Sequence, residues 1–155
     1  MTSTSTERAN SSSADQKLRD LTDRIELTDL VSRLGYWLDD KRWDEANSLL
    51  TEDISVKTSG GSTNGIAAAT DQARKGHDVV TTHHVITNVL IELAGDEAAI
   101  RANLIVTFID ARPDQPTRRT LGEKYQFSAR RTPAGWRLSG IEATRVWIIG
   151  PVPAG

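Results

Sequence analysis

Histidine and aspartate side chains are the groups in this 155-residue chain best suited to moving a proton at carbon. An imidazole titrates at about pH 6.5, and a carboxylate beside it can fix its tautomer and stabilise its charged form. His83 and His84 are adjacent, and Asp39 lies in a charged cluster that follows an apolar helical pattern. A histidine and an aspartate that meet in a water-poor pocket would suffice for acid–base chemistry. The residues alone leave dehydration, isomerisation and cyclisation open.

The two neighbouring histidines cannot both serve one pocket. They fall in a β-branched run, Thr82 to Leu93, which predicts a strand. Successive side chains of a strand point to opposite faces, so one imidazole lines the interior and the other faces outward.

Several other chemistries are disfavoured by the residues that the chain lacks. It has no cysteine, so it has no disulfide, thiolate metal site or cysteine nucleophile. Three histidines, two of them adjacent on opposite faces, do not readily close a tetrahedral metal shell. Gly60-Gly61 lacks the Gly-Lys-Ser/Thr of a phosphate-binding loop, and no Gly-x-Ser-x-Gly elbow is present. We therefore expect chemistry without a metal or a cofactor.

Composition and charge narrow the class of partner. A formal net charge of -2 and a pI of about 5.9 provide no broad cationic field for nucleic acid. No apolar run approaches the roughly 18 residues of a membrane span, and the N-terminus has no secretory pattern. The lack of cysteine suits a reducing compartment, so we expect a cytoplasmic protein with no membrane partner.

The first half of the chain predicts mainly helix. Residues 1–14 are almost all polar and indicate a disordered tail. From Asp15 the pattern is helical, but residues 18–25 and residues 27–38 place their apolar side chains on different faces. The helix should therefore bend or change neighbours near Glu26. The next predicted elements are a short helix over Trp43–Leu50, a strand over Ile54–Thr58, a Gly/Ser-rich loop over Ser59–Asn64 and a helix over Gly65–Gly76.

The second half predicts four long strands joined as hairpins. They are Thr82–Leu93, Ala98–Asp110, Thr120–Thr132 and Gly135–Ile149. Helices followed by a meander indicate an α+β domain over residues 15–150, with a C-terminal tail over residues 151–155. We expect a cone-shaped, curved antiparallel sheet with about three N-terminal helices packed on its concave face.

Two local strings resemble the SnoaL-like and scytalone dehydratase-like families of the nuclear transport factor 2-like superfamily. The first runs from Tyr36 to Asp44 and has an aromatic residue, an aspartate and then a tryptophan four residues later, which matches Asp39 to the family's acidic residue. The second, from Thr81 to Asn88, resembles the Thr-x-His opening of a long strand and matches His83 to the family's catalytic histidine. Tyr36 is then a candidate substrate contact. His84 would face outward.

The resemblance also implies substrate-binding residues on the later strands. Tyr125 precedes Trp136 at a familiar spacing, and Arg145-Val146-Trp147 follows on the last strand, so Tyr125, Arg145 and Trp147 become candidate substrate contacts. Phe108 or the neighbouring Thr107 occupies the position of a second catalytic histidine in scytalone dehydratase, which argues against a two-histidine site, and Phe108 becomes a further candidate substrate contact. An inward-facing Arg145 would need a carboxylate partner, such as Glu142 or Glu123, or an anionic ligand.

These residues predict a cofactor-independent dehydratase, isomerase or cyclase for a hydrophobic oxygenated small molecule, polyketide- or steroid-like in character. His83 would be its general base or acid, and Asp39 would orient that histidine. The alternatives are a non-catalytic binding or assembly module of the same fold and a structural dimer with a vestigial pocket. Each version predicts a homodimer through the outer face of the long strands, which carries either Arg101, Asn103, Ile105 and Thr107 or the residues that alternate with them.

Overall fold

A curved six-stranded sheet forms the body of the protein and carries its helices on the concave side. The computed structural model describes residues 3–110 and 116–151, and it describes side chains from Thr6 onward. The sheet order is β2-β1-β6-β5-β4-β3, so β2 and β3 form its two edges. The sheet does not close, and the result is the cone-shaped α+β architecture predicted from the sequence.

The described elements follow the predicted order from helices to meander. They are α1 (Ser3–Asp39), a 3₁₀ helix (Trp43–Ser48), β1 (Leu50–Thr58), β2 (Gly61–Asn64), α2 (Ile66–His77), β3 (Thr81–Ala94), β4 (Glu97–Asp110), β5 (Thr117–Thr132) and β6 (Gly135–Ile149). The long strands and both hairpins therefore lie where the β-branched runs predict them. None of the helices within these described residues is long and apolar enough to cross a membrane.

The first helix differs from its prediction at the N-terminal end. Residues 3–14, predicted to belong to a disordered tail, are helical and continue α1 upstream. Their described side chains are exposed. Once a helix exists, each added residue gains a backbone hydrogen bond without the cost of forming a new helical turn, so α1 can extend without packing contacts. The helix runs unbroken through Glu26, and it is the surroundings that change there: Leu18, Leu21 and Ile25 remain exposed.

From Leu27 onward α1 packs against the sheet. Its fully buried side chains join those of the inner sheet face in one core; the largest are Leu27, Leu30, Leu34, Leu49, Ile54, Ile100 and Leu138. Burial of each such side chain contributes about 1.5–3 kcal/mol. This core holds the C-terminal turn of α1 against β3.

Two features of the sheet were not predicted. The Gly/Ser-rich segment that was expected to be a loop contains β2, which pairs antiparallel with β1. The strands β1 and β6 pair in parallel, so the sheet is not wholly antiparallel. The β1–β2 hairpin thus extends the sheet beyond the meander and supplies one rim of the cone.

An extra residue in β3 resets which side chains point inward. The register of β3 and β4 shifts between Thr87 and Leu90, where Asn88 has a φ of 56°. A β-bulge of this kind adds one residue to one strand and accentuates its twist. On the far side of the bulge Ile91 is buried, whereas toward the N-terminus the inward side chains are Thr82, His84 and Ile86.

A polar cluster ties α1 to the β5–β6 hairpin at the end of the sheet that carries the β3–β4 turn. Arg131 donates to both carboxylate oxygens of Asp23 at 2.8 and 2.7 Å, and the indole nitrogen of Trp136 donates to Asp23 at 3.0 Å. Asp23 is buried, so these bonds replace the water that its carboxylate loses.

Candidate active site

The hollow enclosed by α1, α2 and the inner sheet face has a volume of about 760 Å³. Its wall is mainly apolar and includes Leu38, Leu104, Val106 and Ile141. Polar side chains also line it, and they come from the strands, from the β1–β2 turn and from α2. An apolar cavity with a small number of converging polar groups is the usual form of a small-molecule site.

His84 lines this cavity, and Asp39 contacts its imidazole. The imidazole Nδ1 lies 2.6 Å from Oδ1 of Asp39, and the His84 side chain is 3% exposed against 16% for the aspartate. Asp39 also accepts the Thr82 hydroxyl at 2.8 Å and the His84 backbone N–H at 2.9 Å. Three donors therefore hold the carboxylate in a single orientation.

The local structure explains why the two groups meet. Asp39 ends α1, and Lys41, whose φ of 55° is left-handed, turns the chain away directly afterwards. Gly35 lies one turn before Asp39 on the same helix face. Its backbone is close to β3: a Cβ atom added to Gly35 would lie 3.6 Å from Cβ of His84. This close approach of helix and strand brings the carboxylate within reach of the imidazole.

Hydrogen bonding keeps Asp39 ionised. Burial alone would raise the pKa of Asp39, but the bonds from the His84 imidazole, the His84 backbone and Thr82 outweigh it and leave that pKa below its usual value. A carboxylate that accepts a bond from Nδ1 requires the proton on that nitrogen. The other nitrogen of the neutral ring, Nε2, then carries the lone pair and can act as a base.

The histidine in this pair is not the one that the sequence pattern favoured. His83 is exposed on the outer face, opposite Thr107, while His84 lines the cavity. The prediction that His83 meets Asp39 inside the cone is wrong, because the alternation of side chains along β3 places His84 on the inner face and His83 on the outer face. Asp39 ends α1, as the sequence pattern predicts, but its partner is His84.

The structure divides the predicted substrate contacts into two groups. Tyr125, Phe108 and Arg145 line the cavity. Tyr36 is 61% exposed on the outer side of α1, and Trp147 packs on the outer face of the sheet, where a Cβ at Gly122 would collide with its indole. The outward orientation of Trp147 results from an extra residue, Val146, in β6. The register between β5 and β6 shifts there, so Trp147 points to the sheet face opposite the one that Arg145 occupies.

His77, at the end of α2, was not considered as a site residue. Its ring stacks on that of His84 with centroids 5.4 Å apart and lies 5.7 Å from the ring of Phe108. Its Nδ1 is 2.7 Å from the carbonyl oxygen of Ala73, and burial lowers the pKa of His77 to about 4. The only signal in the sequence is a histidine just past a predicted helix end.

Two buried nitrogens in the cavity wall have no protein partner. Within residues 3–110 and 116–151, neither Nε2 of His77 nor the indole nitrogen of Trp37 has a hydrogen-bond partner. One is an acceptor and the other a donor. Both belong to residues that line the cavity, so water or a bound molecule would have to satisfy them.

Glu123 and Arg119 are two further cavity residues that were not predicted as site residues. Glu123 lies opposite Arg145 on the neighbouring strand, and burial raises its pKa although Arg145 and His84 oppose that change. Arg119 places its guanidinium carbon 4.4 Å from the centre of the Phe108 ring. Strand parity could have identified both, since they share a face with Tyr125.

Elsewhere on the molecule the described residues show no rival site of this kind. A hollow of about 570 Å³ lies on the outer face of the sheet and is lined by residues such as Arg101, Gln126 and Glu142, with no histidine. In the part of the chain that the structure describes, no group of three or more His, Asp or Glu side chains is arranged to hold a metal ion.

Comparison with solved structures gives the same fold. A proposed scytalone dehydratase from Novosphingobium aromaticivorans superposes with a TM-score of 0.76 at 16% identity, covering 87% of this chain and 91% of that protein. The type 2 hexachlorocyclohexane dehydrochlorinase LinA gives 0.78 at 18% identity, covering 89% and 95%. An NTF2-like protein with a cystatin-like fold, also from Novosphingobium aromaticivorans, gives 0.67 at 26% identity, covering 86% and 88%.

Sequence comparison identifies the family directly. No match was found among curated proteins. The SnoaL-like domain model matches residues 19–142, which include all of the cavity-lining strands up to the middle of β6. The chain therefore belongs to the SnoaL-like domain family, within the nuclear transport factor 2-like superfamily.

Proposed function

We propose that the protein is a cofactor-independent acid–base enzyme, a dehydratase, isomerase or cyclase, that acts on a hydrophobic oxygenated small molecule such as a polyketide- or steroid-like compound. His84 moves the proton. Asp39 orients the His84 imidazole and stabilises its charged form. The observation that carries this proposal is the 2.6 Å contact between Nδ1 of His84 and the carboxylate of Asp39 at an apolar cavity.

The reaction begins with proton abstraction. Nε2 of His84 takes a proton from a carbon next to a carbonyl group, and the electron pair of that C–H bond moves into an enolate. The imidazolium that forms is stabilised by the ionised Asp39, which already accepts its Nδ1–H. Return of the proton to a departing hydroxyl completes a dehydration, and return to another carbon completes an isomerisation.

Tyr125 is the proposed hydrogen-bond donor to the enolate oxygen. It is buried in the cavity wall, and burial raises the pKa of its hydroxyl, with Glu123 and Asp39 adding to that effect. The phenol therefore keeps its proton over the whole range in which proteins are active. A preorganised donor in a dry site stabilises developing negative charge more than the same donor in water.

The names of the structural relatives support an elimination. One is a dehydrochlorinase and another a proposed dehydratase, and both words describe removal of a small leaving group from carbon. The two relatives share 16% and 18% identity with this chain, and their names support elimination as the class of reaction.

Proton exchange at carbon tests the proposal without knowledge of the natural substrate. The probe is 2-tetralone, a two-ring ketone, and the measurement is deuterium incorporation next to its carbonyl, followed by NMR in deuterated buffer. We expect the wild type to exceed the buffer rate and His84→Ala to lower that excess by roughly 10²- to 10⁴-fold. His83→Ala is the matched control and should keep the wild-type rate, because its imidazole faces outward.

The outcome also separates an enzyme from a binding module. Exchange that is no faster than buffer, or that persists in His84→Ala, would contradict the acid–base assignment. Tight binding of 2-tetralone without exchange would instead favour a cavity that only holds its ligand.

We also propose that two copies associate through the outer sheet face. One row across four strands consists of Val85, Ile105, Gly122 and Trp147 in register. Val85, Ile105 and Trp147 are 42%, 48% and 39% exposed, and further exposed apolar residues flank them: Ile109, Val146 and Ile149. A contiguous apolar patch of this kind marks an interaction surface.

A further inference from the structure

We propose that the ligand of this cavity is an amphipathic anion, whose apolar body fills the hollow and whose carboxylate is bound by the guanidinium groups of Arg119 and Arg145. This inference rests on the proposed function in taking the cavity as the substrate site. It adds the chemical class of the substrate and a second anchoring point.

Both arginines face the cavity from neighbouring strands. Arg119 lies on β5 and Arg145 on β6, and both line the hollow. Arg119 is half-buried and stacks on Phe108, while Arg145 is exposed at the mouth and donates to the Ser59 hydroxyl at 2.8 Å. These contacts orient the two cations and leave several N–H donors of each for a ligand.

Asp71 and Glu123 line the same cavity, and among the described residues neither forms a salt bridge with Arg119 or Arg145. Glu142, one of two carboxylates considered as partners for Arg145, is on the outer face and pairs with Lys57 at 3.3 Å. Glu123, the other, faces Arg145 across the strands. Among the described residues, no carboxylate oxygen lies within 4.0 Å of a side-chain nitrogen of Arg145.

The cations also affect each other. Burial lowers the pKa of Arg119, the charge of Arg145 lowers it further, and Asp110 acts in the opposite direction. Because the charge of Arg145 acts on Arg119, an anion bound near both groups would offset the repulsion between them. Guanidinium groups suit a carboxylate because their planar N–H pairs match its two oxygens.

The position of the arginines fits a substrate that reacts at His84. The ring of Phe108 lies 6.4 Å from that of His84, and the Arg119 guanidinium carbon lies 4.4 Å from the Phe108 ring, so it is at most about 11 Å from the imidazole centre. The wall between them is formed by Val106 and Leu121. A fused-ring frame would lie on this apolar floor with its reacting carbon at one end and its carboxylate at the other.

Binding of matched fluorescent probes tests the inference. The probes are pyrene-1-butyrate, 1-pyrenebutanol and 4-(1-pyrenyl)butylamine, which share an apolar body and carry a negative, a neutral and a positive end group. We expect the wild type to bind the carboxylate at least roughly tenfold more tightly than the alcohol at low salt. The variant Arg119→Met/Arg145→Met should lose that preference and still bind the alcohol, which also shows that it is folded. Arg101→Met removes an arginine from the outer face and should change nothing.

Several results would overturn the inference. They are equal affinity of the wild type for carboxylate and alcohol, tighter binding of the amine, no binding of any probe, and a carboxylate preference that survives the double substitution. The difference between the affinities of the wild type for the carboxylate and for the alcohol tests the inference even if the double variant does not fold. His84→Ala should keep the carboxylate preference, so a failed exchange assay and a failed binding assay remain distinguishable.

Discussion

His77 predicts a measurable pH dependence of stability. Its pKa is about 4 in the folded protein and 6.5 in the reference state, and burial is the main cause of the difference. The hydrogen bond to the Ala73 carbonyl and the charge of Asp39 raise the pKa of His77. The charges of His84 and Lys41 lower that pKa further. The substitution His77→Phe keeps an aromatic ring in the stack and removes the titrating group.

The sign and size follow from proton linkage. Between pH 6.5 and about 4 the unfolded chain binds a proton at His77 that the folded chain does not. Folding stability therefore falls as the pH falls through this window, and the effect is complete below the folded pKa. One pKa unit is worth about 1.4 kcal/mol, so the wild type should lose roughly 3 kcal/mol relative to His77→Phe between pH 7.5 and pH 4.

Urea unfolding of both proteins at half-unit pH steps measures this difference. Paired carboxylates titrate in both proteins and cancel in the comparison. His83→Gln, which removes an exposed imidazole, serves as the control and should follow the wild-type curve. Parallel curves for wild type and His77→Phe would refute the argument that this imidazole is buried in its neutral form.

Three further predictions concern the site, the scaffold and the assembly. Asp39→Asn should lower the exchange rate by roughly 10²- to 10⁴-fold with little change in ligand affinity, whereas exposed Asp40→Asn should leave both unchanged. Asp23→Ala leaves the buried indole N–H of Trp136 without its acceptor and should lower the free energy of unfolding in urea by about 2 kcal/mol; no change would show that water replaces the carboxylate. Ile105→Lys puts a charge into the outer apolar patch and should convert a dimer to a monomer in sedimentation velocity; a wild-type monomer at micromolar concentration would contradict the proposed association.

The long strands and hairpins could be predicted because their signals are local. β-branched runs interrupted by Ala94-Gly95-Asp96 and by Pro133-Ala134-Gly135 leave little choice of register at the turns, and Gly95 and Gly135 indeed have positive φ values of 66° and 108°. The strand β2 could not be predicted in the same way. Its four residues are polar, and their strand conformation depends on pairing with β1.

The choice of His83 failed because the Thr-x-His pattern fits Thr82-His83-His84 as well as Thr81-Thr82-His83, and counting strand positions from the hairpin would not have corrected it. At the hairpin Ala94 pairs with Glu97, and counting back from this pair without interruption places His83 opposite the inward-facing Phe108. The extra residue at Asn88 changes the count, so that His84 pairs opposite the inward-facing Val106. Asparagine tolerates the left-handed backbone better than most residues, but that preference alone does not show where a strand is interrupted.

The arrangement of Asp39 and the cavity shows the other limit of the sequence. The family pattern distinguished Asp39 from Asp40, whereas strand parity left two alternating sets open on β4, of which the structure places Arg101, Asn103, Ile105 and Thr107 on the outer face. The sequence could not show that the end of α2 returns to the cavity and brings His77 against His84, because that contact depends on the packing of separate elements.

The irregularity in β3 has a practical consequence for anyone who compares or edits such chains. Two homologues can share the adjacent histidines column for column and still use different ones, if only one of them carries the additional strand residue. Removal of Asn88 from this chain would rotate the segment before it by half a turn, exchanging the imidazole beside Asp39 for its neighbour and sending Thr82 to the surface. Assigning the reactive histidine in a relative therefore requires its strand register as well as its aligned sequence.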